Sequence, residues 1–188
     1  LREAGLLHLG IPRAQGGDQL PWPDLYRVIR RLATVDSALA HVLAFHHLQV
    51  VTVLIYGAPA QHDALLTQTR EQGLWWGNAM NPLDKRLIAT PVPGGYRLNG
   101  IKSFCSGTRG SDWMTLSAHV EGRPFPLLAV APTRDAKQLD DWNPIGQRQT
   151  DSISVVFEDL FLPTEQVLKQ PDVAPSPVHT LRNFFAQL

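Results

Sequence analysis

Three short segments of the sequence combine aromatic residues with small polar ones. They are residues 75–82 (WWGNAMNP), 102–107 (KSFCSG) and 140–152 (DDWNPIGQRQTDS). Flat apolar side chains beside hydroxyl and amide groups suit a planar heteroaromatic ligand with a polar rim, and a flavin ring is one such ligand. Each segment also has a structural interpretation, because Asn-Pro is a common turn and tryptophan is usually part of a core. Taken alone, these segments indicate a cofactor site only weakly.

Other catalytic motifs are absent from the sequence. It has no dinucleotide fingerprint or P-loop, and no HExxH or CxxC pattern that would bind zinc. His41, His46 and His47 fall on one predicted helix, but they are five, six and one positions apart. Two ligands on one helical face are three or four positions apart. We therefore expect no metal and interpret these histidines as polar positions of a partly buried helix.

Composition restricts the function further. The chain has 17 basic and 17 acidic residues, so it lacks the positive charge typical of nucleic-acid binders. No run approaches the ~18 uninterrupted apolar residues of a membrane span. Cys105 is the single cysteine, which excludes an intrachain disulfide and favours a cytoplasmic protein.

Helical signals dominate the first third of the chain. Pro23 suits the first turn of a helix that continues with apolar residues at helical spacing. Asp36 or Ser37 can cap a second helix, which a glycine at position 57 would end. Pro59 can open a third, short helix.

From residue 73 onward, short apolar runs are separated by Gly, Pro, Asn and Asp, which is typical of β-strands. Residues 93–95 (PGG) predict a hairpin turn. Several short strands at this spacing favour a β-barrel or sandwich. The predicted strands cover residues 74–79, 86–92, 96–99, 102–105, 113–120, 127–131 and 152–157.

The order of these elements predicts an α+β protein with more than one domain. We predict an α-helical domain over residues 1–72, a β-barrel over 73–170, and a proline-rich linker with the start of a helix over 171–188. The sequence has no initiator Met and begins like the last turn of a helix. We therefore expect the protein to start upstream and its C-terminal helical domain to be missing here.

The segments occur in the same order as in acyl-CoA dehydrogenases. Residues 5–12 (GLLHLGIP) resemble the first loop of that family, and residues 94–102 (GGYRLNGIK) resemble its barrel hairpin. Residues 146–152 (GQRQTDS) resemble the entry to the strand that closes the barrel. The resemblance runs from residue 1 to about 170. It implies a helical domain, a flavin-binding β-barrel and a C-terminal helical bundle.

Two segments depart from the dehydrogenases themselves. Their Thr-Glu-Pro and Gly-Ser-Asp are replaced by residues 80–85 (MNPLDK), and their Trp-Ile-Thr by residues 104–106 (FCS). The sequence looks more like the flavin-dependent monooxygenases of this fold, such as dibenzothiophene monooxygenase and the dimethyl-sulfone-related enzymes. That branch takes reduced flavin, FMN more often than FAD, from a separate reductase. It uses oxygen to attack sulfur or other soft centres.

The resemblance implies roles for individual residues in binding the flavin. Ser106 matches the hydroxyl beside flavin N5, and Phe104 matches the aromatic wall on one ring face. Asn78 and Asn81 match the strand end at the pyrimidine edge, and Ser152 matches a pocket-lining position. The structural alternatives are a strand-end turn for Ser106 and a pre-proline turn for Asn81.

Two further residues are implied on the substrate side. Trp142 matches a wall of the substrate pocket, with a core position as the alternative. His46 matches a helix histidine that faces the pocket and could donate a proton, although His47 could take that role and His46 could be solvated. Cys105 alternates with its neighbours along the strand, so it should be a buried core thiol without a redox role.

Full-length relatives of this type form homotetramers that share flavin contacts between subunits, so we expect this chain to be inactive alone. Its substrate would be a small or aromatic molecule, with sulfur compounds among the candidates. Two alternatives stay open. One is an acyl-CoA dehydrogenase whose catalytic base lies beyond residue 188. The other is a flavin-free remnant that serves in oligomerisation or binding.

Overall fold

The computed structural model describes residues 1–175, 177 and 178, so the helix predicted over residues 179–188 lies outside the described part. Within that part, an N-terminal loop leads into three α-helices, which are followed by eight β-strands. The helices are α1 (Trp22–Ala33), α2 (Ser37–Tyr56) and α3 (Pro59–Gln72). The strands are β1 (Trp76–Ala79), β2 (Ile88–Val92), β3 (Gly95–Cys105), β4 (Trp113–Ala118), β5 (Leu127–Pro132), β6 (Lys137–Gln138), β7 (Ile153–Pro163) and β8 (Val167–Lys169).

The ends of α2 and α3 follow from single residues. Asp36 caps α2, because its Oδ1 accepts a hydrogen bond of 2.9 Å from the Leu39 N–H. Gly73 ends α3 with a φ of +62°, a left-handed conformation that suits glycine. α3 is longer than predicted and continues to Gln72. Its last turn is held by the buried Thr69 hydroxyl, which accepts a hydrogen bond of 2.9 Å from Trp76 Nε1.

α2 is the central helix of the described structure. It is long and apolar enough to cross a membrane by length and composition, but 67% of its most apolar window is buried inside the protein. Its second half packs onto the β-sheet in an apolar cluster that includes Val50, Val53, Trp76 and Val130. These contacts make α2 a core helix and fix its position relative to β1.

The strands form two four-stranded sheets, with orders β1-β4-β5-β8 and β2-β3-β7-β6. β1 and β4 are parallel, and the other pairs are antiparallel. The strands predicted at 96–99 and 102–105 are one continuous strand, β3. Gly100 joins them with a φ of +130°, where an added Cβ would lie 2.0 Å from the Arg86 carbonyl oxygen. β6 and β8 were not predicted, because two or three residues show no alternation.

Residues from both sheets form one apolar core, which includes Leu98, Cys105, Leu116 and Phe157. Among the described residues, the strands make two sheets rather than one continuous ring. The sheets are joined where the Ala89 N–H donates to the His119 carbonyl at 2.8 Å. The prediction of a β-rich unit with an inward-facing Cys105 is confirmed. The described strands form two joined sheets instead of the predicted barrel.

Candidate functional site

Ser106 lies just after β3, where this strand approaches the end of β1. Its carbonyl accepts a hydrogen bond of 3.2 Å from the Asn78 N–H of β1. Its own N–H donates to the Phe104 carbonyl at 3.0 Å, which closes a tight bend. The bend turns the Ser106 side chain toward α2 and the segment around residue 150.

A chain of buried hydroxyls starts at Ser106. Its Oγ lies 2.8 Å from Ser152 Oγ, which lies 2.8 Å from Thr150 Oγ1. The Thr150 hydroxyl then donates to the Gln147 carbonyl at 2.9 Å. All three hydroxyl residues are buried, so these contacts are largely protected from competing water.

His41 completes this chain from the first turns of α2. Its Nε2 lies 3.3 Å from Ser106 Oγ, and its ring stacks on Phe45 with centroids 4.5 Å apart and an angle of 13°. Burial lowers the pKa of the His41 imidazole below its ordinary value, so the ring is neutral at pH 7. A neutral imidazole beside a hydroxyl can donate or accept a hydrogen bond there.

His46 was predicted to face the same pocket, but the structure gives it different surroundings. It is fully buried, and its Nε2 lies 3.0 Å from the Leu7 carbonyl oxygen. Its Nδ1 accepts a hydrogen bond of 3.2 Å from the Trp76 N–H. Both ring nitrogens therefore bond to the backbone, and the ring joins the N-terminal loop to β1. Burial, with the neighbouring His47, lowers the pKa of His46 strongly.

His47, the predicted alternative, is also buried, and its Nε2 lies 3.0 Å from the Leu6 carbonyl oxygen. Burial lowers its pKa to about 4. Since His41 and His46 are five positions apart, they lie roughly 140° apart around the helix and cannot share a face. From the sequence, His41 was weighed only as a possible metal ligand. The one local signal for a different role was Phe45, which lies four positions later on the same face of the helix.

An aromatic pair lies beside the hydroxyl chain. Phe104 is 71% exposed despite its size, and its φ of +58° is unusual for a residue with a side chain. Its ring meets Trp142 edge to face, with centroids 6.1 Å apart. Trp142 is partly exposed, and its Nε1 donates to the Gln147 carbonyl at 3.1 Å. The core position considered as the alternative for Trp142 therefore does not apply, and the two rings offer an open apolar surface.

The two predicted asparagines differ in position. Asn78 is buried next to Ser106, and its Oδ1 accepts a hydrogen bond of 3.3 Å from the Met80 N–H. Asn81 is exposed, and its Oδ1 accepts from the Leu83 N–H at 3.2 Å in a local turn. Its carbonyl accepts from the buried Lys102 Nζ at 2.6 Å. The contacts of Asn81 thus fit the turn alternative.

The segment that carries Trp142, Thr150 and Ser152 is anchored on both sides. The Gln147 side chain donates to Ser37 Oγ at 2.9 Å, which ties the segment to the start of α2. Arg109 forms ion pairs with Asp151 at 2.6 Å and Asp140 at 2.9 Å, which tie it to the loop after β3.

The structure thus brings together five residues from three distant parts of the sequence. Ser106, Ser152 and His41 supply hydroxyl and imidazole groups, and Phe104 and Trp142 supply flat apolar faces. This set of groups fits a planar heteroaromatic ring with polar edges. Of the predicted residues, His46 and Asn81 make their hydrogen bonds with other parts of the protein.

Comparison with known proteins identifies the class. Residues 1–71 match the family described as acyl-CoA dehydrogenase, N-terminal domain. This match confirms, for residues 1–71, the resemblance predicted from the sequence. The relatives of the chain are flavin-dependent monooxygenases, the branch indicated by residues 80–85 and 104–106.

Three relatives illustrate the similarity. The probable FMNH2-dependent monooxygenase SfnC of Pseudomonas putida is 41% identical over 191 residues, which cover 100% of this chain and 48% of SfnC. Methanesulfinate monooxygenase MsuC of Pseudomonas fluorescens superposes with a TM-score of 0.93 and 40% identity, over 99% of this chain and 49% of MsuC. The FMN-bound structure of TdsC from Paenibacillus sp. A11-2 gives a TM-score of 0.85 and 32% identity, over 91% of this chain and 46% of TdsC. The chain therefore spans about half the length of the relatives it matches.

Proposed function

We propose that this chain is the flavin-binding part of a two-component flavin-dependent monooxygenase. The observation that carries the proposal is the contact of His41 with Ser106 beside the exposed Phe104 and Trp142 rings. Such a site offers polar groups along one edge of a planar ligand and an apolar wall for its face. The similarity to SfnC, MsuC and TdsC supports the same conclusion.

The proposed cofactor is FMN. Ser106 would contact the polar edge of the ring near N5, Phe104 would cover one face, and Asn78 would lie toward the pyrimidine edge. When bound in its reduced form, FMN supplies two electrons and activates molecular oxygen. The names of SfnC, an FMNH2-dependent enzyme, and of FMN-bound TdsC favour FMN over FAD.

The protein's own contribution would be hydrogen bonding and exclusion of water. His41 is neutral and partly buried, so it can form a hydrogen bond with the Ser106 hydroxyl without the desolvation cost of a charged ring. Phe104 and Trp142 would keep water from the face of the bound ring. Trp142 is held in place by its hydrogen bond to Gln147.

The proposed substrate is a small organosulfur compound. MsuC is named for methanesulfinate, and TdsC is named as a dibenzothiophene monooxygenase. In such a reaction one oxygen atom of O2 is transferred to sulfur and the other leaves as water, with the two electrons supplied by reduced flavin. A sulfinate would thereby become a sulfonate.

The remaining parts of the proposal concern the whole protein. A separate reductase would supply reduced flavin. This is supported by a relative from Rhizobium sp., an FADH2-dependent resorcinol hydroxylase that is named as the oxygenase component. A C-terminal helical bundle and a homotetramer would complete the site. This chain alone would then be inactive, because half of the pocket comes from elsewhere.

The test uses the full-length protein with FMN, a flavin reductase and NADH. We expect sulfinate to be converted to sulfonate with one O2 consumed per product, and little hydrogen peroxide released. If an acyl-CoA bleaches the oxidised, FMN-loaded protein without oxygen, the protein is a dehydrogenase instead. If neither oxidised nor reduced FMN binds, the flavin-free alternative holds.

A further inference from the structure

In the hydroxyl chain formed by Ser106, Ser152 and Thr150, the hydrogen bonds can be donated in one direction only. Its far end is the Gln147 carbonyl oxygen, which can only accept, so the Thr150 hydroxyl must donate its single hydrogen there. A 2.9 Å contact between two oxygens without a hydrogen between them would be repulsive. Thr150 has then no hydrogen left for Ser152, so Ser152 must donate to Thr150 across their 2.8 Å contact.

The same reasoning continues to the other end. Since Ser152 has used its hydrogen, the 2.8 Å contact between Ser106 and Ser152 requires Ser106 to donate. Ser106 cannot then donate to His41, so the 3.3 Å contact between them requires a hydrogen on His41 Nε2. The Ser106 oxygen keeps one lone pair, because a hydroxyl has one hydrogen and two lone pairs and His41 occupies the first.

We propose that Thr150 and Ser152 are positioning residues that make Ser106 a hydrogen-bond acceptor toward its ligand. This inference rests on the proposed function, because it assumes that flavin N5 lies at Ser106. Reduced flavin carries a hydrogen on N5 and can donate to Ser106. Oxidised flavin presents a bare N5, which faces an oxygen lone pair. The hydroxyl chain therefore selects the reduced form of the cofactor.

The contacts that hold the hydroxyl chain in place explain how the direction of its hydrogen bonds is maintained. The left-handed backbone of Gln147, with a φ of +58°, sets the orientation of its carbonyl group. The Gln147 side chain donates to Ser37 and keeps the residue in this position. The Thr150 carbonyl accepts a hydrogen bond of 2.9 Å from the Gly107 N–H, which fixes Thr150 beside Ser106. Thr150 is 2% exposed, so water cannot readily replace Gln147 as its acceptor.

The first test needs no flavin. In full-length protein with selectively ¹⁵N-labelled histidine, at pH 8 and with resonances assigned through a His41→Phe variant, we expect neutral His41 to carry its hydrogen on Nε2. Thr150→Val removes the terminal donor and should give a mixture of the two tautomers, whereas Thr150→Ser should keep the Nε2–H form. A His41 that carries its hydrogen on Nδ1 in the unmodified protein would overturn the inference.

The second test measures the dissociation constants of oxidised FMN and of dithionite-reduced FMN under anaerobic conditions. We expect reduced FMN to bind more tightly, and Thr150→Val to decrease this preference by about 3- to 10-fold, the size of one hydrogen bond. Thr150→Ser should restore it. Thr52→Val serves as the control. It removes the hydroxyl of a different buried threonine, which lies in α2 and donates to the Leu48 carbonyl, and it should leave the preference unchanged.

An unchanged preference in Thr150→Val, with Thr52→Val also unchanged, would overturn the role of Thr150. Absence of binding by both forms of FMN would overturn the proposed function, and the redox selection with it. The His41 tautomer would still report the direction of the hydroxyl chain, so failure of the inference and failure of the proposed function are distinguishable.

Discussion

The Nε2 atom of His41 lies 3.3 Å from the hydroxyl oxygen of Ser106, which is 65 positions further along the chain. This contact joins the first turns of α2 to the end of β3. It selects His41, among the histidines of the second helix, as the one at the candidate site. The first two predictions follow from that distinction.

Replacement of His41 by phenylalanine should preserve the stacking on Phe45 but remove the nitrogen that meets Ser106. If His41 handles a proton during oxygenation, product formation by the full-length protein should fall about 100-fold, with a rise in hydrogen peroxide release. Product and peroxide would be measured together. The His119→Phe variant serves as a control outside the site and should keep full activity, and equal effects of both variants would contradict the role of His41.

Replacement of His46 by phenylalanine should act on stability instead. It would leave the Leu7 carbonyl and the Trp76 N–H without partners in the interior, at a cost of about 1–3 kcal/mol each. Urea denaturation should show a lower free energy of unfolding for His46→Phe than for His41→Phe. A His46→Phe protein of normal stability but without activity would restore the catalytic role first predicted for His46.

The stability of the protein should decrease in mild acid because of His47. Burial lowers its pKa to about 4, against an ordinary value of 6.5. Between these two pH values the unfolded chain binds a proton that the folded chain does not, so the free energy of unfolding falls as the pH drops from about 6.5 to about 4. The full loss from this group is roughly 3 kcal/mol, of which about 2 kcal/mol falls between pH 7 and pH 5. Urea denaturation at pH 7 and pH 5 measures it, and a His47→Leu variant should show a smaller difference between the two.

Two substitutions at Phe104 should distinguish the effect of its left-handed backbone on stability from the contribution of its ring to FMN binding. Phe104→Gly and Phe104→Ala both remove the aromatic face, so both should weaken FMN binding by the full-length protein. Glycine tolerates the φ of +58°, so Phe104→Gly should be more stable than Phe104→Ala by about 1 kcal/mol. Thermal denaturation and FMN titration of both variants check this. If both bind FMN as the parent does, Phe104 is no wall of the site.

The Cys105 thiol should be chemically inert in the folded protein. It is fully buried, and burial raises its pKa to about 12, so almost no thiolate forms at pH 8. Iodoacetamide should label this chain only after denaturation. Rapid labelling of the native chain would show that the apolar core opens at β3.

Local sequence signals predicted most of the elements, because their causes are local. The Asp36 cap, the turn after residue 92 and the alternation that buries Cys105 each depend on a few neighbouring residues. β6 and β8 were not predicted, because such short strands are defined by their partners. β3 was predicted as two strands because a glycine such as Gly100 usually signals the end of a strand. The reason for a glycine there is the close approach of the Arg86 backbone, which occurs only when β2 lies beside β3.

The sequence by itself determined the α+β order, the resemblance to the acyl-CoA dehydrogenases and the choice of Ser106, Phe104, Trp142 and Ser152 as candidate site residues. It could not choose among the histidines, because the choice depends on how α2 is rotated against β1. That rotation is set by apolar contacts such as those of Val50 and Val53, which turn His46 and His47 toward the N-terminal loop and His41 toward Ser106. The direction of the hydroxyl chain likewise depends on a carbonyl at Gln147 that meets Thr150 only in the folded protein, since hydrogen bonds between side chains need distances that sequence spacing does not specify.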